Sequence, residues 1–187
     1  PVGNGGSGAT TLTGILKGNG TSAFTAATAG TDYVSPSVAT TYSALQTFNG
    51  SSSALAALFK STSEVVTVSA TAATGTITLD ALTQPVLYYT TNSSGNWTIN
   101  VRGSGSASFN SVTSTGSSTT LVFMATNGST AYYQTGFQID GSSVTPKWQN
   151  NAAPLAGNAN SIDAYVFTII KTGSAAYTVL AAQTRFA

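Results

Sequence analysis

The sequence predicts an all-β protein: an extended Gly/Ser/Thr-rich N-terminal arm followed by an antiparallel β-sandwich of the jelly-roll kind. Three observations lead there. Charged residues make up 6% of the chain and hydrophobic ones 41%, so the surface is clothed in Ser, Thr and Asn rather than in charge. From Glu64 onward, short runs rich in Val, Ile, Tyr, Phe and Trp alternate apolar with polar and are separated by turn formers. Residues 1–50 are small residues and turn formers punctuated by single apolar side chains. So few anchors, spread so widely, do not repay the entropy of ordering the arm within one copy. The arm therefore predicts an oligomer.

The arm spans residues 1–50. Its dipeptides Asn4-Gly5, Asn19-Gly20 and Asn49-Gly50 mark tight reversals, and Ser35-Pro36 is a break, because proline pushes the residue before it into an extended conformation. Leu12, Ile15, Leu16, Phe24, Tyr33, Leu45 and Phe48 are its apolar anchors and the expected oligomerisation and attachment residues. Tyr42, Leu45 and Phe48 also have a spacing that would allow a helical turn. Residues 51–63 form a connector. Within it Ser53–Lys60 has the composition of a two-turn helix, with Ser51, Ser52 or Ser53 as its cap, or else of a strand leading into the next domain.

Residues 64–187 form the sandwich. Val65, Val66 and Val68 open it. Thr76–Leu82 alternates, Val86–Thr91 carries Tyr88 and Tyr89, and Trp97–Arg102 alternates with Trp97, Ile99 and Val101 inward. Ser106–Val112 is a weaker run, and Thr119–Thr126 is strongly apolar. Asn127-Gly128 is the best hairpin signal, with a return strand over Ala131–Ile139, and Asp140-Gly141 is a second. Val144–Trp148, Asp163–Lys171 and Ala175–Phe186 complete roughly nine or ten strands, a number that suits a sandwich.

Composition excludes several functions. Cysteine and histidine are both absent, which removes disulfide, thiolate and imidazole chemistry. A net charge of +1 provides no basic patch for nucleic acid. The apolar runs, of which Ala164–Ile170 is among the longest, are too short for membrane insertion as a helix. The five acids, Asp32, Glu64, Asp80, Asp140 and Asp163, are spread along the chain, so they form no calcium loop and no metal site. Asp80 and Asp140 are a pair that a folded sandwich could bring together as a glycosidase dyad. Each has a simpler explanation, one on a solvent-facing strand position and the other in an Asp-Gly turn. Serine is plentiful but lacks a base to activate it, and Gly103-Ser104-Gly105 reads as a turn rather than a phosphate loop. No enzyme and no cofactor are expected.

The quoted segments carry a resemblance. Gly5–Tyr33 and Thr40–Gly50 resemble a segment of tail fibres and other virion proteins of tailed bacteriophages. Glu64–Ala70, Val86–Asn92, Gly141–Gln149 and Tyr165–Phe186 are similar to the C-terminal module of such proteins from phages of marine bacteria, cyanobacterial phages included. These pieces cover most of the chain. The resemblance implies a virion component, a homotrimeric fibre or appendage subunit whose arm meets other virion proteins. It assigns no catalytic residue. The alternatives are a receptor-binding module at a fibre tip, gripping a glycan or host-surface protein, and a capsid decoration protein. Trp148, Tyr132 and Tyr89 are the aromatic side chains expected at such a host contact, while Trp97 belongs to the core.

Overall fold

The computed structural model describes residues 13–187 apart from 30, 36, 38, 43 and 49. Leu12, the Asn4-Gly5 turn, Pro36 and Asn49 lie outside the described residues. The chain divides into two units, Pro1–Lys60 and Ser61–Ala187, with the division inside the expected connector.

Among its described residues the first unit has sparse regular structure. β1 (Leu16–Lys17) pairs antiparallel with β2 (Thr25–Ala26). Between them Ser22 N–H donates to Asn19 O at 3.1 Å, closing the turn expected at Asn19-Gly20. Lys17 Nζ meets Asp32 Oδ1 at 2.6 Å, and Thr28 N–H donates to Asp32 Oδ2 at 2.9 Å. The Lys17 hydrogen bond, then that of Thr28, holds the Asp32 carboxyl below its usual range. Neither a helical turn over the described residues of 40–48 nor a helix over Ser53–Lys60 is formed. Two turns are marginal without a packed face, and here Leu55, Leu58 and Phe59 are exposed.

The second unit is all β apart from short helical turns. Its strands are β3 (Val66–Ala72), β4 (Gly75–Asp80), β5 (Val86–Thr91), β6 (Trp97–Arg102), β7 (Ser118–Asn127), β8 (Gln134–Ile139), β9 (Ser142–Ser143), β10 (Lys147–Trp148), β11 (Ser161–Gly173) and β12 (Ala176–Phe186). They make a six-stranded sheet, β10-β12-β11-β7-β5-β3, and a four-stranded sheet, β4-β6-β8-β9. The order shows how the chain travels. From β3 to β8 it alternates between the sheets, laying one strand in each per winding. Neighbours within a sheet then run the same way: β3, β5 and β7 pair in parallel, as do β4, β6 and β8. The corners stack too, with Ser94 N–H on Ala73 O at 3.0 Å and Ala81 N–H on Arg102 O at 2.9 Å. Antiparallel pairing enters with β7–β11, β11–β12 and the short β8–β9 hairpin.

This pairing corrects the expected antiparallel arrangement. Period-two alternation tells which side chains face inward, but not which sheet receives the strand after a turn. The Asn127-Gly128 hairpin is corrected for the same reason: β7 and β8 lie in different sheets. Asn127 is buried, its Nδ2 donates to Tyr132 O, and its Oδ1 accepts from Tyr132 N–H. Its side chain thus builds a wide corner instead of a two-residue turn. The Asp140-Gly141 hairpin forms as expected. Both residues have positive φ, 51° and 79°, and Ile139 lies opposite Ser142, as a type I′ turn requires.

The core lies between the sheets. Trp97, Ile99 and Val101 are buried as their alternation implies. Trp97 stands edge-on to Phe123 and Tyr165 of the six-stranded sheet, with ring centroids 5.8 and 5.7 Å apart, and Phe137 meets Phe167 at 4.8 Å. The weak run Ser106–Val112 holds a short helix, α1 (Phe109–Val112), not a strand. Ser108 caps it, the Asp140 carboxylate accepts the N–H groups of Phe109 and Asn110, and buried Lys171 donates to the carbonyls of Asn110 and Thr113. An anion at the first turn and a cation at the last carbonyls suit the helix ends.

Candidate binding surface around Trp148

After the β8–β9 hairpin the chain leaves the sheet. Val144 N–H still donates to Phe137 O at 3.0 Å, but Pro146 has no N–H with which to extend a ladder. β10 instead joins the other sheet, pairing in parallel with β12, Trp148 opposite Ala181. The divergence opens a groove of about 450 Å³ between Tyr133–Phe137 on one side and Ser143–Pro146 on the other, with Trp148, Ala153 and Pro154 completing it. Its size falls within the range of small-ligand sites, about 300 to 1,000 Å³.

Trp148 is half-buried, and its ring meets Phe167 edge-on at 6.5 Å. It is held by the core on one side and reaches the groove on the other. No charged side chain lines the groove. Its lining is aromatic and prolyl, with Thr135, Ser143 and Thr145 among its polar residues. Such a lining suits a neutral ligand that presents apolar faces and hydroxyl groups. Gln134 borders the groove but is 3% exposed, and its side-chain oxygen is buried without a hydrogen-bond partner.

Of the three aromatic side chains expected at a host contact, Trp148 lines the groove. Tyr89 packs into the core with its ring 5.3 Å from Phe123, and burial raises the pKa of its phenol. Tyr132 also packs against the core, while its neighbour Tyr133 lines the groove. Alternation along an extended chain says that adjacent tyrosines diverge, but not which of the two turns outward. Pro154 was not signalled at all, since it reaches the groove through a loop rather than a strand.

The expected anchors of the arm are exposed wherever they are described: Ile15, Leu16, Phe24, Tyr33, Leu45 and Phe48. Leu45 is 92% exposed and Leu58, in the connector, 93%. Asp80 and Asp140 have separate partners. Asp80 forms a two-pronged ion pair with Arg102, whose Nε stands at 2.5 Å, and Asp140 holds α1. Among the described residues no three acidic side chains gather as metal ligands, and no helix is long and apolar enough to cross a membrane.

A polar cluster lies beneath the loop that leads into β11. Asp163 is fully buried. Its Oδ2 accepts from Asn127 Nδ2 (3.2 Å), Asn158 N (2.9 Å) and Gln183 Nε2 (3.2 Å), and its Oδ1 accepts from Asn158 Nδ2 (2.7 Å). Gln183 also donates to Tyr165 Oη at 3.0 Å. Amide donors, not a cation, satisfy this carboxylate, and they tie the corner after β7 and the loop before β11 to one point.

Comparison of the chain with protein-family models, curated proteins and solved structures finds no match.

Proposed function

We propose that this chain is a structural subunit of a bacteriophage virion, a trimeric fibre or appendage component that projects from the particle and is held through its N-terminal arm. The observation that carries this reading is the first unit, whose described apolar anchors stay exposed along described residues with little regular structure of their own. Side chains of that kind in such a setting await cover from sister copies or a docking protein. The low charge of the whole chain agrees with a surface that meets protein over much of its area. Mass spectrometry of purified particles, with antibody labelling in electron micrographs, tests the proposal. A chain expressed in infected cells but absent from washed particles would refute it.

The Trp148 groove supports a second role on the same subunit, contact with a neutral host-surface glycan. Purified protein is then expected to adsorb to host cells and compete with phage, and Trp148→Ala to reduce adsorption at least tenfold, the loss of about 1.4 kcal/mol that an aromatic stacking contact supplies. Unchanged adsorption by a folded variant removes Trp148 from the contact.

A further inference from the structure

The two sheets of the second unit differ on their outer faces. The four-stranded sheet turns Thr76, Thr78, Thr98, Asn100 and Gln138 outward, opposite buried Ile77, Leu79, Ile99, Val101 and Ile139. That is the pattern of a sheet with one wet face. The six-stranded sheet departs from that pattern at its centre, although Thr120, Thr168 and Thr178 also turn outward. Its inner face is the core, and its outer face carries a cross-strand row in register: Val66, Val86, Val122, Val166 and Ala182. Beside that row runs another, Val68, Tyr88, Met124 and Ala164. Val66, Val68 and Leu180 are exposed, and Val86, Val122 and Val166 are half-exposed. Strands that read as unbroken apolar runs belong to sheets covered on both faces, yet within the second unit the outer face is open.

We infer that the outer face of the six-stranded sheet is a self-association surface, covered by the same sheet of a second copy of this chain. Charge and area both argue for that occupant. Lys147, at the β10 edge opposite Leu180, is the one charged side chain at its border on the β10 side, so the rows themselves bring no like charges together when the face meets its own copy. A face without charges also offers little to select a different partner. Five strands about 20 to 40 Å long and the two-residue β10, at about 4.8 Å spacing, give a face of about 780 Å², close to the roughly 800 Å² that each partner contributes to a standard interface. Two such faces can stack as sheet on sheet with their side chains interleaved. Like face on like face closes at two copies, so this contact is separate from the trimer that the arm would build under the subunit reading above, and it rests on the sheet itself.

The test uses the full chain. Light scattering at micromolar concentration is expected to give an oligomer. Val122→Glu, which places a charge at the centre of the row, is expected to halve the mass with an unchanged far-UV spectrum, while Thr78→Glu on the other sheet leaves the mass as it was. Because the chain has no cysteine, single-cysteine variants give a second readout that does not depend on the glutamate variant folding. Val166→Cys is expected to react with a maleimide at least tenfold more slowly than Thr78→Cys, and to lose that protection on dilution to monomer. An oligomer in which both cysteines react equally fast overturns the inference but leaves the subunit reading standing, since copies then meet elsewhere. A monomer in which Val166→Cys is open overturns it, and so does a monomer in which it stays protected, because the chain then covers its own sheet. Presence in the particle is decided separately by mass spectrometry.

Discussion

Replacing Asp163 tests whether the second unit depends on its buried polar cluster. The carboxylate accepts four hydrogen bonds and is fully buried. Asp163→Ala leaves the backbone N–H and side-chain amide of Asn158 without an acceptor, and takes one of two acceptors from the amides of Asn127 and Gln183. Each stranded donor costs about 1–3 kcal/mol, but the loop that carries Asn158 can move toward water, so the sum is not reached; about 3–5 kcal/mol is expected. For a unit of this size that lowers Tm by about 10–20 °C. Asp163→Asn is the informative control. Its oxygen can take the Oδ2 position and keep three donors, while its new amide faces Asn158 Nδ2. That single clash is relieved if the Asn158 amide turns over, so about 1–2 kcal/mol is expected. Urea unfolding of the full chain, followed by tryptophan fluorescence and far-UV circular dichroism, measures both. A loss below about 1 kcal/mol for the alanine variant, or equal losses for the two, would refute the view that these bonds fix the corner after β7.

Further expectations concern the same unit and the pH response. Lys171→Met strands the carbonyls of Asn110 and Thr113 and is expected to cost about 2–4 kcal/mol, with limited proteolysis newly cutting within residues 103–117. Gly141→Ala meets no neighbouring atom but forces a side chain onto a φ of +79°, so about 1 kcal/mol is lost, as read from the urea midpoint. Stability is expected to be flat between about pH 5 and pH 9, because no histidine or cysteine titrates there. Burial raises the phenols of Tyr165, Tyr89 and Tyr177. Their contribution is complete below the unfolded value of about 10 and fades as pH rises through the folded ones, so unfolding and late absorbance at 295 nm should appear together in strong alkali. Asp32 works in the opposite sense. Its lowered pKa keeps the Lys17 tie intact above the ordinary value of 3.8 and releases it as pH falls through the folded one, which amide exchange in residues 17–32 would follow.

Local features were legible in the sequence and the path between sheets was not. Trp97, Ile99 and Val101 face the core as their alternation requires, and Asp140-Gly141 makes its turn, because both depend on neighbours within a few residues. The crossing after Asn127 depends on a buried amide whose partner, Asp163, lies far along the chain. Nothing near Asn127 distinguishes it from the opening of a hairpin. The short helix at Phe109 likewise owes its ends to Asp140 and Lys171, and the composition that favoured a helix at Ser53–Lys60 met no packed face to sustain it. Trp148 was legible as a surface aromatic, whereas the groove beside it exists only because the chain changes sheets at Pro146. The apolar runs Leu121–Ala125 and Tyr165–Ile170 were visible as strands. That both of their faces are apolar has meaning only once the register places Val122 beside Val166.

The winding that lays one strand in each sheet also makes this architecture extensible. β3 and β4, laid down first, are the free edges of their sheets at one end. Another circuit of chain could dock there, hydrogen-bonding to their open backbone groups, without disturbing any layer already in place. The opposite end has no such freedom, since the β11–β12 hairpin reverses direction and closes the stack with antiparallel ladders. A domain of this design lengthens by whole laps at its entrance while its exit stays fixed, so insertions of one lap ahead of Val66 should be tolerated where insertions inside the hairpin are not.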